Sequence, residues 1–185
     1  MAQTVADHML ERLRQWDVEY VFGYPGDGIN AIMGAFGRAG DKPRFIQSRH
    51  EEMSAFEAVG YAKFTDKVGV CLATSGPGAI HLLNGLYDAK ADHVPVVAIV
   101  GQTERSAVGG SYQQEVDLLS LFKDVASDFV QVASVPEQSP TSSTARSGSR
   151  PPAGLRPRSS CRVTCRSSST LHRATRSRRC LPVSG

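Results

Sequence analysis

Two adjacent carboxyl side chains, Glu51 and Glu52, are the first candidates for chemistry in this sequence. They follow RFIQS, which is typical of a short strand, and they begin a segment of helical character. Acidic residues in a first helical turn are favoured by the helix dipole alone, so a structural role is the ordinary alternative. Because Glu51 follows a strand end directly and faces two glycine-rich turns, we predict that it points into a cleft, where a carboxyl group could control protonation of a bound heterocycle. Glu52 lies about 100° further around the helix and is predicted to be solvated or structural.

A turn of small residues, ATSGPG, supplies a second candidate and spans Thr74 to Gly78. Small residues let a backbone approach a ligand or a neighbouring element, and Pro77 suits the first turn of a helix. A simple strand-to-helix turn is the alternative. His81 lies one turn into that helix and is predicted to face the same cleft, with a structural histidine as the alternative.

The segment YPGDG invites a different interpretation, because Gly26, Asp27 and Gly28 spell the start of a diphosphate and magnesium motif. That motif needs an asparagine further along the chain, and the window in which it would fall, residues 53–58, contains none. We therefore interpret the segment as a turn only. Residues 1–138 also contain no His, Cys and Asp cluster with metal-site spacing, no nucleophile elbow, and no GxGxxG motif opening a helix after the first strand.

The alternation of apolar strands with helices predicts an α/β fold. Helices are predicted after the candidate N-cap Thr4, at 30–38, at 51–64, from the SGPG turn onward and at 116–122, and strands at 19–24, 44–48, 68–74, 94–101 and 128–132. The strands are continuously apolar, which is typical of burial on both faces. We therefore expect a doubly wound parallel sheet flanked by helices and incomplete at its C-terminal end.

Ligands of such a sheet collect outside the carboxyl ends of its strands. The candidate residues all follow strand ends and are therefore expected to converge: Tyr24, Pro25 and Gly26 after the first strand, Glu51 after the second, Thr74 to Gly78 after the third, and Gln102 after the fourth.

Charge divides the chain into two unlike parts. Residues 1–138 carry 11 Lys+Arg and 18 Asp+Glu, whereas residues 139–185 carry 10 Arg and no Asp, Glu or Lys. We predict one domain at 1–138 and a basic tail at 139–185 that is too poor in large apolar residues to fold. Cys71 is the one cysteine of the first part, which suits a reducing cytoplasm. The sequence has no signal-peptide pattern and no apolar run long enough to span a bilayer.

Several stretches of residues 3–138 resemble a known family. These stretches are FGYPGDGIN, SRHEEMSAFEAVGYAKFT, GVCLATSGPGAIHLLNGLYDA, DHVPVVAIVGQ and YQQEVDLLSLFKDV. They occur in order at the spacing of the N-terminal pyrimidine-binding domain of thiamine-diphosphate-dependent enzymes, in the branch of pyruvate oxidase, quinone-dependent pyruvate dehydrogenase and acetolactate synthase. NGLYDA with DHVPV is more similar to the pyruvate oxidase side. The resemblance implies a flavodoxin-like domain.

The resemblance implies a role for each candidate residue. Glu51 would hydrogen-bond the ring nitrogen of the cofactor's aminopyrimidine and favour the tautomer that activates the thiazolium carbon toward a 2-oxo acid. Gln114 matches a glutamine near the substrate. The positions that match residues lining the cofactor or its mouth are Tyr24, Pro25, Gly26, Thr74, Pro77, His81 and Gln102.

Two departures from the family pattern limit what the resemblance implies. Gln113 stands where relatives usually carry Phe, so the choice of 2-oxo acid stays open. Relatives bind the diphosphate and Mg²⁺ in a second catalytic domain, hold the pyrimidine with a partner subunit, and in many cases carry an FAD domain. We therefore expect that the complete enzyme from which this domain derives is a cytoplasmic homo-oligomer. We expect this chain to be inactive alone. A non-catalytic partner-binding module with a basic tail that binds nucleic acid is the alternative function.

The tail has three interpretations. Relatives continue VPEQ with an amphipathic helix and a strand. If residues 139–146 and 163–168 are written with permissible codons, the reading frame two bases later encodes PHIVDRA and DVQEL. Because both segments share the same offset, a frameshift is favoured. An Arg/Ser-rich tail could instead bind nucleic-acid phosphates. A zinc site is the third interpretation, although the spacing fits no standard set; its ligands would be Cys161, Cys165, His172 and Cys180.

Overall fold

The computed structural model describes residues 4–126, 129–133 and 162–167. The helices are α1 (Val5–Gln15), α2 (Asn30–Ala39), α3 (Glu51–Thr65), α4 (Pro77–His81), α5 (Leu83–Ala91) and α6 (Leu118–Phe122). The strands are β1 (Tyr20–Gly23), β2 (Arg44–Gln47), β3 (Gly69–Ala73), β4 (Val96–Gln102), β5 (Val130–Ala133) and β6 (Arg162–Ser167). All strand pairs are parallel, in the order β2-β1-β3-β4-β6-β5. The predicted doubly wound parallel sheet is confirmed.

The sheet separates two hydrophobic layers. On one face, α1 and α2 bury Leu10 and Ile32 against Val70 and Leu72 of β3 and Ile99 of β4. On the other face, α3, α5 and α6 cover the opposite residues of β3 and β4, with Cys71 among them. Because side chains alternate along a strand, β3 and β4 contribute side chains to both hydrophobic layers and need apolar residues at almost every position. Two-sided burial is therefore confirmed for these central strands.

The edge strand β2 differs from that expectation. Arg44 and Gln47 are exposed and the two residues between them are half-buried. β2 pairs only with β1 among the described strands, so it lies at the edge of the sheet. An edge strand packs against fewer helices than a central one, which explains why polar ends are tolerated here.

The N-cap of α1 is a reciprocal hydrogen-bonded box. Thr4 Oγ1 accepts from the Asp7 amide at 3.1 Å, and the Thr4 amide donates to Asp7 Oδ2 at 3.0 Å. Arg38 at the end of α2 donates to the other carboxylate oxygen at 2.7 Å. Burial raises the pKa of the Asp7 carboxyl, but the hydrogen bonds from Thr4 and Arg38 outweigh it and hold the pKa below its usual value. This carboxylate ties the two helices of one layer together.

A close helix contact fixes α3 beside α5. A Cβ atom added at Gly85 would lie 2.5 Å from Cβ of Ala55, so only glycine allows this approach. The single helix predicted after the SGPG turn is in fact two, α4 and α5, separated at Leu82. No helix in the part of the chain that the structure describes is long and apolar enough to cross a membrane.

Strand β6 lies within the tail predicted at residues 139–185, and the prediction for the tail as a whole stays a prediction. Arg162–Ser167 pairs in parallel with β4 on one side, from Val97 to Gln102, and with β5 on the other. The prediction averaged composition over 47 residues. A six-residue stretch containing Val163 and Thr164 has strand-forming residues and satisfies backbone groups on both sides, which outweighs its poor average. The other tail residues lie outside the described ones, and the frameshift interpretation stays a prediction.

Candidate functional site

Glu51 is a buried carboxyl at the first position of α3. Its residue is 8% exposed, and it lies just beyond the carboxyl end of β2. His50 forms the N-cap, and its Nδ1 accepts a hydrogen bond from the Glu52 amide at 3.3 Å. The sequence RHEE thus starts a helix in a way that turns the first glutamate inward.

His81 contacts this carboxyl from the end of α4. Its Nδ1 lies 3.0 Å from Oε2 of Glu51, with side-chain exposures of 42% and 10%. The rings of His81 and His50 stack with their centroids 4.3 Å apart. The predicted convergence of Glu51 and His81 is therefore seen directly, and His50 joins them.

Glu52 points elsewhere, in agreement with its predicted structural role. Its Oε1 accepts a hydrogen bond from Asn84 Nδ2 at 2.6 Å. Asn84 belongs to α5, so this contact adds to the packing of α3 on α5. The two adjacent glutamates thus differ in environment, with one buried beside a histidine and the other half-buried and bonded to an amide.

The turn after β3 lies against Glu51. A Cβ atom added at Gly78 would lie 3.2 Å from Glu51 Oε1 and 2.8 Å from Thr74 Cγ2. The backbone of Gly78 therefore lies close beside the carboxyl, and any residue with a Cβ atom at this position would fill the space next to Glu51. Pro77 occupies the first turn of α4, as predicted, and is exposed.

A glycine with a positive φ joins this turn to the loop that carries Gln114. Gly76 has φ 59° and ψ −115°, and a Cβ atom there would lie 2.6 Å from the carbonyl oxygen of Gln114. Gln114 itself has φ 63° and is exposed. Amides of Gly109 and Tyr112 donate to the Glu115 carboxylate and lower its pKa. This carboxylate organises the loop that holds Gln114 against the turn.

The residues after β1 reach the same turn from the other side. A Cβ atom at Gly26 would lie 2.6 Å from Thr74 Cβ, and the Gly28 amide donates to Thr74 Oγ1 at 3.0 Å. Asp27–Ile29 forms a short 3-10 helix leading into α2, and the interpretation of GDG as a turn without a diphosphate role stays a prediction. Tyr24 is 39% exposed and Pro25 half-buried at this rim.

Gln102 lies at the end of β4, and its amide organises backbone. Its Nε2 donates to the Val116 carbonyl at 3.1 Å and its Oε1 accepts from the Thr103 amide at 2.9 Å. These bonds fix the start of the loop between β4 and α6. Its predicted place at a strand end is seen, and its contact with a cofactor stays a prediction.

His50 is the site residue that the sequence analysis missed. Together with Glu51 and His81 it offers three ligand atoms within 4.8 Å of one another, the arrangement of a candidate metal site. Sequence spacing could not reveal this cluster, because His81 is 30 residues away from Glu51 and lies in the helix that follows β3. A histidine directly before a predicted inward-facing acid was the available signal.

The sequence of the chain is similar to a known protein family and to several known proteins. The family model described as thiamine pyrophosphate enzyme, N-terminal TPP binding domain, matches residues 3–121. A putative thiamine pyrophosphate-containing protein of Bacillus subtilis, YdaP, is 51% identical over 124 residues, which cover 67% of this chain and 22% of that protein. Pyruvate oxidase of Lactiplantibacillus plantarum is 43% identical over 118 residues, 64% of this chain and 20% of the relative. Acetolactate synthase isozyme 2 large subunit of Escherichia coli is 46% identical over 116 residues, which cover 63% of this chain and 21% of the relative. The chain spans about a fifth of the length of these relatives.

Proposed function

The chain belongs to the thiamine pyrophosphate enzymes through their N-terminal TPP-binding domain, and from that premise we propose that it binds the aminopyrimidine ring of thiamine diphosphate (thiamine pyrophosphate) with Glu51. One observation carries the proposal. The Glu51 carboxyl is buried at a strand end of a parallel sheet, where such folds bind ligands. The glycine turn that follows β3 lies beside it.

The residues present fit an aromatic ring with a basic nitrogen. The backbone at Gly78 leaves room that any side chain would fill, next to Oε1 of Glu51. Thr74 and Gly26 pack into a second narrow wall, and Tyr24 adds an exposed aromatic ring at the rim. A buried acid beside open backbone suits a flat heterocycle that must exchange a proton.

When bound, thiamine diphosphate supplies a carbon nucleophile that adds to the carbonyl group of a 2-oxo acid. The chain's part is to hold a proton between Glu51 and the ring nitrogen. His81 Nδ1 shares Oε2 of Glu51, so it fixes the orientation of the carboxyl and leaves Oε1 on the side of Gly78. Pro77, Gln102 and Gln114 stay proposed lining residues, with Gln114 nearest the substrate.

The parent reaction is proposed to act on pyruvate or a related 2-oxo acid, by decarboxylation with oxidation or carboligation. Two of the relatives are named pyruvate oxidase and acetolactate synthase, which supports this substrate class. Mg²⁺ and FAD would belong to domains outside this chain's match, and the cofactor would be shared with the catalytic domain of a second subunit in a homo-oligomer. This chain by itself is then inactive.

The test combines the full chain with a separately produced diphosphate-binding domain of a relative, thiamine diphosphate, Mg²⁺ and pyruvate, and measures CO₂ release. We expect no turnover from the chain alone and measurable turnover from the mixture. Glu51→Gln should lower that turnover by about 100-fold or more, because general acid–base catalysis contributes on that order. Glu52→Gln is the matched control, since its carboxyl bonds only Asn84 among the contacts described. Equal losses in both variants would refute the role of Glu51.

A further inference from the structure

We propose that His50, Glu51 and His81 form a binding site for a divalent transition-metal ion, for which Zn²⁺ is the best match. The family match concerns a cofactor and says nothing of metal binding by these side chains. The proposal rests on their geometry and does not depend on the role of Glu51 toward thiamine diphosphate.

The donor set selects the ion. Two imidazole nitrogens and one carboxylate oxygen are ligands that Zn²⁺ accepts readily, whereas Mg²⁺ and Ca²⁺ prefer oxygen ligands throughout. Three protein ligands also leave one tetrahedral position open. Exposed acids alone would not support such a site, but here the carboxyl is buried and both partners are histidines.

The distances are close to those of a ligated ion. Bond lengths of about 2.0–2.2 Å place two ligands of a tetrahedral ion about 3.4 Å apart. His81 Nδ1 and Glu51 Oε2 are 3.0 Å apart, and all three ligand atoms lie within 4.8 Å of one another. An ion therefore needs shifts of about 1 Å, and the half-exposed His81 side chain has room for them.

Metal binding by His50 has a consequence that holds for either ring nitrogen. Nδ1 of His50 now accepts from the Glu52 amide at 3.3 Å. If Nδ1 binds the ion, the amide loses its acceptor. If Nε2 binds it, Nδ1 of the neutral ring must carry the proton and again cannot accept. In both cases the hydrogen bond of the Glu52 amide is lost, which gives the site a specific spectroscopic marker.

The two imidazole rings lie close enough together for one nitrogen of each to reach the same ion. Their centroids are 4.3 Å apart and their planes are tilted by 34°, and His81 Nδ1 lies 3.0 Å from Glu51 Oε2. A single ion bound by one nitrogen of each ring and by Glu51 would replace the hydrogen bond between His81 and Glu51.

The experiment uses the full chain with its tail ligands removed, as Cys161→Ser, Cys165→Ser, Cys180→Ser and His172→Asn. Co²⁺ is titrated and its visible absorption followed, and Zn²⁺ is then added to displace it. We expect intense tetrahedral-type bands that Zn²⁺ abolishes. His50→Ala, His81→Ala and Glu51→Gln should each weaken binding about tenfold or more, since even the loss of a residue that only hydrogen-bonds a metal ligand costs that much.

His93→Ala is the matched control, because this exposed histidine lies outside the cluster. In parallel, the amide resonance of Glu52 is followed in the chain with the cluster intact, and it should shift as Zn²⁺ is added. Binding that is equal in the His50, His81 and His93 variants would overturn the proposal. An unmoved Glu52 amide at saturating Zn²⁺ would overturn it as well, even if a cluster variant fails to fold.

Discussion

Replacing Gly76 with alanine tests how the site turn is held. Gly76 has φ 59° and ψ −115°, a region that costs a residue with a Cβ about 1–3 kcal/mol. The new Cβ would also lie 2.6 Å from the carbonyl oxygen of Gln114, and relief of such overpacking costs about 1–3 kcal/mol. The loss of unfolded-state freedom returns about 0.4–1 kcal/mol. We expect Gly76→Ala to lower the free energy of unfolding by about 1–5 kcal/mol.

Gly37→Ala is the matched control for this substitution. Gly37 lies in α2, and a Cβ atom there would meet no atom within 4 Å. The same change should therefore raise the free energy of unfolding by about 0.5–1 kcal/mol through helix propensity. The assay is urea denaturation of the full chain followed by far-UV circular dichroism. Opposite signs are expected, and equal effects of the two substitutions would refute the contact between the turn and the Gln114 loop.

Three further predictions concern separate parts of the molecule. A double-mutant cycle of Glu51→Gln and His81→Ala should give a coupling energy of about 1 kcal/mol in urea unfolding, because one partner is buried and the other half-exposed; additive single effects would contradict the contact. Asp7→Asn should lower stability by about 1 kcal/mol at neutral pH by weakening the capping box of α1. Because the folded-state pKa of Asp7 is depressed, its contribution is present above the unfolded-state pKa and lost as pH falls through the folded-state pKa. The gap between wild type and Asp7→Asn should accordingly close in acid, and a pH-independent gap would count against it. Amides of residues 163–166 should exchange slowly in hydrogen-exchange measurements, since this part of β6 has a paired strand on each side; exchange at the rate of an unstructured peptide would remove this strand from the sheet.

Much of the fold follows from local pattern. Strands β3 and β4 were predictable because burial on both faces leaves a continuous apolar run in the sequence. The carboxyl ends of β2 and β3 then place Glu51 and the Thr74 turn on one edge, which is a property of parallel sheets and needs no contact information.

The parts that sequence could not supply depend on contacts between distant residues. His50 became a site residue only when His81, on α4, stacked against it. The contact of Gly76 with Gln114 likewise joins segments from two different connections. Strand β6 was missed because average composition hid six residues that complete hydrogen bonding between β4 and β5.

The central claim is a hydrogen bond between one carboxyl and one ring nitrogen. Thiamine diphosphate labelled with ¹⁵N in its aminopyrimidine is added with Mg²⁺ to the chain mixed with the complementary domain, and the ring-nitrogen chemical shift is recorded. We expect a shift toward the protonated ring with the wild-type chain and with Glu52→Gln, and its loss with Glu51→Gln. A ring nitrogen that responds identically in all three would contradict the account.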